Sequence, residues 1–264
     1  MLRFYFEVAG TAFRRQIVYR WANLAGLCTN IFFALIVSYI IIALYAVRPV
    51  VAGYDVHDTL RYTWMMQAIL MVVLPFGFTD LMQTIRTGDV VTDLSKPCDF
   101  YLYWFSREMG KNVYYAIFRG LPTYLAGMVI FKLGVPLTWQ SWLAFGLIPP
   151  FGATLGIAYR FLYNIVAFWI IEARAVVSFA LTIAQFLTGS FIPLPLLPGW
   201  LQTIVNWLPF RGFMDLPVQV FLGKISGSLL WGAFGLQVGW LIILTCLVLW
   251  LVQVARQHVV VQGG

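Results

Sequence analysis

Two stretches of this chain, Ala22 to Val47 and Ser228 to Val252, contain no charged side chain. Each exceeds the roughly 20 apolar residues that carry a helix across a bilayer. In hydrocarbon every backbone N–H and C=O must be paired within the chain, which leaves only helices and closed barrels. Barrel strands alternate apolar and polar residues over segments of about ten, and no such alternation is present. Charged residues make up only 10% of the chain, against about 25% in soluble domains. These features predict an all-α integral membrane protein.

Further apolar runs extend the pattern to six transmembrane helices, over about 22–47, 60–81, 113–131, 141–164, 175–191 and 228–252. Pro75 and Gly77 are expected to kink the second. Glu172 and Arg174 mark a water-side turn after the fourth, with Arg160 snorkelling toward the headgroups. Residues 2–20 read as an amphipathic interfacial helix. Arg3, Glu7, Thr11 and Arg14 share one face, and Leu2, Phe6, Ala9, Phe13 and Ile17 share the other. Between spans five and six, 192–224 is apolar, but Pro193, Pro195, Pro198, Pro209 and Pro217 forbid a continuous crossing helix. Short helices in a re-entrant or interfacial segment are expected there, with Trp200 and Trp207 suited to the headgroup belt.

Six crossings put both termini on one side. Of the 17 Lys and Arg, five (Arg48, Arg61, Lys132, Arg211 and Lys224) fall on the opposite side and the other twelve on that of the termini. The positive-inside rule then makes both termini cytoplasmic. The net charge of +7 is accounted for by span-flanking residues that set topology and touch anionic lipid, with no nucleic acid implied.

Catalytic patterns are nearly absent. His57 and His258 fall on opposite faces of this topology, and Cys28, Cys98 and Cys246 share no metal or disulfide spacing. The H-E-x-x-H, G-x-S-x-G and P-loop signatures are missing. No catalytic residue, cofactor or metal site is therefore assigned to this chain. Asp80, Arg119 and Arg160 are ionisable groups near the inner interface and read as structural. Gly152-xxx-Gly156 and Gly235-xxx-Gly239 have close-packing spacing. Ser178, Thr182, Gln185 and Gly189 form a polar stripe, either for interhelical packing or for lining a path.

The longest polar island, Met82 to Lys111, lies between spans two and three and reads as a cytoplasmic loop (82–112) broken by Gly88 and Pro97 into short pieces. Gly88 suits the end of the preceding helix. Asp89 and Asp93 sit one turn apart, placed to cap or acidify a short helix over Val90–Leu94. Val90, Val91 and Leu94 among the charges suggest a docked surface.

In order and spacing, three features resemble the permease subunits of ABC-2-type exporters, in particular a short six-span subgroup. They are the amphipathic first helix, the loop IRTGDVVTDLSKPCDFY with its Gly-acidic-x-x-x-x-Leu-x-x-Pro pattern, and the stretch GSFIPLPLLPGWLQTIVNWLPF. The resemblance implies a single permease domain (1–264) in a plasma (bacterial inner) membrane. It would pair with a second six-span permease, identical or homologous, and with two cytoplasmic ABC ATPase subunits that carry ATP and Mg. Arg86, Gly88, Asp89, Val90, Val91, Asp93, Leu94 and Pro97 would couple to the ATPase. Ser178, Thr182 and Gln185 would line the path, and Pro193, Pro195, Pro198, Trp200, Pro209 and Phe210 would form an outer gate. The cargo would be a small amphipathic compound or a lipid. The residues also leave open an integral membrane enzyme acting on a lipid-linked substrate, or a channel or scaffold without ATP coupling.

Overall fold

A computed structural model describes residues 2–74, 79–136, 138–170 and 173–258. The expected kink at Pro75 and Gly77, and Glu172 of the expected turn, lie outside them. The described residues are mostly helical, with a single isolated β-bridge among them, between Val51 and Tyr54. In order, the helices are α1 (Leu2–Val18), α2 (Arg20–Val47), α3 (Val56–Val73), α4 (Asp80–Arg86), α5 (Val90–Leu94), α6 (Phe100–Tyr115), a π-turn (Ala116–Gly120) and α7 (Leu121–Phe131). After these come α8 (Trp139–Ile165), α9 (Arg174–Leu187), α10 (Gly199–Trp207), α11 (Pro209–Phe213), α12 (Asp215–Phe221) and α13 (Gly227–Ala255).

Among the described residues, four helices are long and apolar enough to cross a membrane: Arg20–Val47, Phe100–Phe131, Trp139–Phe168 and Gly227–Ala255. The other two expected crossings are built differently. α9 is an apolar helix of 14 residues, about 21 Å at 1.5 Å per residue. It ends short of Phe191, because Gly189 turns the chain at φ +84. α3 is 18 residues long, and twelve of them are buried, from Thr59 to Val73. It forms the core of the bundle, packed by α2, α6, α7, α8 and α12. Protein rather than lipid surrounds it, so it can hold Thr59, Tyr62 and Thr63 among its apolar residues.

Close contacts fix this centre. Trp64 of α3 is fully buried, its indole N–H donating to Ser38 Oγ of α2 at 2.9 Å. A Cβ on Gly127 of α7 would fall 2.5 Å from the Trp64 ring, so only glycine lets α7 approach. Gly152 and Gly156 of α8 likewise abut the Phe213 carbonyl and Val73, as their spacing predicts. Gly235 and Gly239 of α13 meet nothing within 4 Å, so their close-packing spacing is not used inside this chain.

The Pro-rich stretch forms short helices, as expected, in two layers of unlike burial. α10 is largely open, with Trp200 68% and Trp207 71% exposed, whereas every residue of α12 is buried. α12 brings in a buried carboxylate, Asp215. It accepts from the Tyr62 hydroxyl at 2.7 Å, from Arg211 Nε at 3.3 Å and from Gln219 Nε2 at 3.3 Å. Tyr54 donates to Gln219 Oε1 at 2.6 Å and completes a network that joins α12 to α3 and the turn before it.

Candidate functional site

The turn from α4 to α5 follows from its residues. Gly88 adopts φ +80 with open space around it, a conformation that strains any residue with a Cβ. α5 then covers Val90–Leu94, the limits expected from the sequence. Asp89 stands at its N-cap without capping it; its carboxylate instead accepts from Thr87 Oγ1 at 2.7 Å. Asp93 is buried and pairs with Lys96 Nζ at 2.6 Å, and that ammonium lies 4.0 Å from the Tyr103 ring centroid. Burial works against the charged form of Lys96, but the bonds to Asp93 and Tyr103 outweigh it and raise its pKa. Burial also pushes up the pKa of the Cys98 thiol two residues on.

The apolar residues of α5 divide. Val90 is buried, and Leu94 packs with it against Leu81, Phe100, Trp104 and Phe161, a cluster that also takes in Val248 and Val252 of α13. Val91 alone faces out, beside exposed Asp89 and Thr92. The reading of all three as a docked surface is therefore corrected. Two of them, spaced i and i+4, seat the helix on its own core. Arg86 and Gly88 are partly buried and Pro97 is exposed.

The polar island is also not a loop throughout. From Phe100 it is helical, capped by Asp99, which accepts from Leu102 N at 2.8 Å. The helix runs unbroken to Phe131, so Arg107, Glu108 and Lys111 lie on a helix rather than in short loop pieces. Asp80 accepts from Arg107 at 3.0 Å and Lys111 at 2.8 Å. Glu108 pairs with Lys111 at 2.9 Å and with Arg160 at 3.6 Å. Arg160 is fully buried and donates to the Val73 carbonyl and, at 3.2 Å, to Asn112 Oδ1. It does not snorkel, because the carboxylate and carbonyls it needs lie inside the bundle. Asn164 links α8 to α4 by accepting from Met82 N at 3.2 Å. Sequence reasoning missed this network; its one local signal was the helical spacing of Arg107, Glu108, Lys111 and Asn112.

α1 lies along α6, and Gly110 admits the Ala9 carbonyl where a Cβ would collide with it. Tyr5 OH accepts from Asp99 N at 3.1 Å, and Tyr115 OH donates to Gln16 at 3.2 Å. The helix therefore has three faces rather than two. Tyr5, Ala9, Ala12 and Gln16 meet α6, Leu2, Phe6 and Ile17 stay open, and Arg3, Glu7 and Arg14 form the polar side.

The residues expected to line the path and those expected to form the gate each differ in exposure. Ser178 and Thr182 are exposed on α9, with the Thr182 hydroxyl bonded to the Ser178 carbonyl at 2.9 Å, whereas Gln185 is buried. Trp200 and Pro198 are open, Pro193, Pro195 and Phe210 are partly buried, and Pro209 is buried. Neither the curated proteins nor the solved structures compared with the chain gave a match. The sequence profile described as ABC-2 family transporter protein does match, over residues 30–262 of this helical membrane protein. The chain therefore belongs to the ABC-2 transporter family and is a membrane permease of an ABC transporter.

Proposed function

We propose that this permease is an exporter subunit with six crossings and cytoplasmic termini. It works beside a second six-span permease and two ATPase subunits that hold ATP and Mg. α5 is the element through which the ATPases act, with Asp89, Val91 and Thr92 as the contact. One observation carries this reading. α5 rests on α4 and, through Val90 and Leu94, joins an apolar cluster shared with α6, α8 and α13, while a small, mostly polar face stays open. A push on that face reaches three of the long helices at once, because close-packed groups transmit displacement. Export of a small amphipathic compound or lipid along α9, under an outer segment 192–224 that re-enters the membrane, completes the reading.

The test uses the assembled transporter purified with its P-loop ATPase. Combining Asp89→Lys with Val91→Asp is expected to leave the permease folded and to cut permease-dependent ATPase stimulation roughly tenfold, the scale of about 1.4 kcal/mol at an interface. Unchanged assembly and stimulation would remove α5 from the coupling path.

A further inference from the structure

We propose that the seam between α2 and the π-turn holds the phosphate of an anionic membrane lipid, with Arg119 as its main ligand. Arg119 lies in the π-turn, half-buried, and its guanidinium rests on the backbone of Gly26 in α2. A Cβ at Gly26 would collide with the tip of that guanidinium, so glycine is what lets it lie there. The Tyr115 ring is its other neighbour, with the centroid 5.5 Å from the guanidinium carbon. Nε is buried without a hydrogen-bond partner, and the side chain meets no carboxylate among the described residues. Arg107, Arg160 and Arg211, by contrast, meet Asp80, Glu108 and Asp215. A cation inside a membrane protein is costly without a counter-charge, and at Arg119 the chain supplies none.

A second donor without an acceptor stands nearby. Asn30 of α2 is buried, and its Nδ2 has no hydrogen-bond partner. It follows Gly26 by four residues, on the same side of the helix. α2 and the long helix Phe100–Phe131 run parallel, with Gly26 beside Arg119 and the Tyr39 ring 6.2 Å from that of Phe131. Asn30 is therefore level with Thr123, one turn past Arg119, and the Thr123 hydroxyl already donates to the Arg119 carbonyl at 2.7 Å. Facing elements thus present N–H groups and lack an acceptor, which an oxyanion supplies; the guanidinium fork suits a phosphate. Position selects a lipid over a soluble anion. Ile117, Phe118 and Leu121 on one helix and Trp21 and Leu24 on the other are exposed apolar side chains, which acyl chains cover in a bilayer. Gly26 is six residues past Arg20, where α2 begins, about 9 Å at 1.5 Å per residue. Groups held about 5–10 Å deep lie at the boundary of headgroups and acyl chains. Net charge selects the anionic lipid, because the phosphate of a choline lipid already has its own cation. The proposal rests on the chain being a membrane protein and not on the coupling role of α5.

The test is native mass spectrometry of the full-length protein in mild detergent, titrated with dioleoylphosphatidylglycerol. Saturable retention of the lipid is expected, and neither dioleoylphosphatidylcholine nor inorganic phosphate should displace it. Arg119→Gln should weaken retention about tenfold, roughly 1.4 kcal/mol. Arg119→Lys, which keeps the charge and loses the fork, should weaken it less. Gly26→Ala meets only the flexible tip of Arg119, so the chain should fold and bind the lipid more weakly. Arg20→Gln, at an exposed cation where α2 begins, should leave retention unchanged. Equal retention of phosphatidylcholine, displacement by phosphate, or full retention in Arg119→Gln overturns the proposal. So does a loss in Arg20→Gln as large as that in Arg119→Gln, since diffuse charge would then hold the lipid. If Arg119→Gln does not fold, Gly26→Ala decides, and unchanged affinity there overturns the proposal.

Discussion

Each end of the bundle buries a carboxylate, Glu108 at one and Asp215 at the other, and the two are treated differently; half-exposed Asp80 joins the Glu108 set. At the end that carries α5, Glu108 and Asp80 meet Arg107, Lys111 and Arg160, cations drawn from two helices. At the other end, Asp215 has one cation, Arg211, four residues away in the chain. Its remaining partners are the neutral Tyr62 hydroxyl and Gln219 amide. Taking one member from a buried ionic set strands a charge in low dielectric, whereas losing one neutral donor leaves the others in place. The first end is thus held as a block and the second by separable bonds. A permease that transmits force at one end and opens at the other would need this asymmetry.

Arg160→Met tests the block most severely. It leaves Glu108 with a single cation and is expected to cost about 3–5 kcal/mol, read as thermal unfolding of the purified permease in mild detergent. Adding Glu108→Gln should recover part of that loss, since both partners of the pair are then uncharged. At the opposite end, Tyr62→Phe removes one bond to Asp215 and is expected to cost about 1.5–3 kcal/mol. Equal losses for Arg160→Met and Tyr62→Phe would erase the contrast between the ends. The smallest effect belongs to Gly88→Ala, where open surroundings leave only the strain of the left-handed backbone, about 1–2 kcal/mol. A larger loss would mean that the α4–α5 turn also belongs to the rigid block.

What the sequence disclosed was what short-range chemistry determines. Gly88 ends a helix, Val90–Leu94 forms the next, and the prolines from Pro193 to Pro217 divide their segment into short helices. The outer limits of α2 and α13 were legible because lipid-facing helices carry their apolar pattern openly. Phe100 to Lys111 was misread because its charges look like loop residues until Asp80 and Arg160 arrive from distant parts of the chain. The same distance hid the burial of Arg160. In α5, Val90 and Leu94 looked like a docking surface because a sequence does not show that they belong to an apolar cluster with residues of α4, α6, α8 and α13. Along the stripe from Ser178 to Gln185, periodicity identifies a shared side of α9 but not how far neighbours bury each residue on that side.

The π-turn at Ala116–Gly120 divides one long rod into two halves with separate angular settings. Below it α6 is matched to α1, with Gly110 against Ala9; above it α7 is matched to α3, with Gly127 against Trp64. One residue corresponds to about 100° of helical rotation. Shortening the turn by a single residue would therefore swing either Gly110 or Gly127 out of register while changing no contacting side chain. The wider turn lets two unrelated docking partners share a single continuous rod.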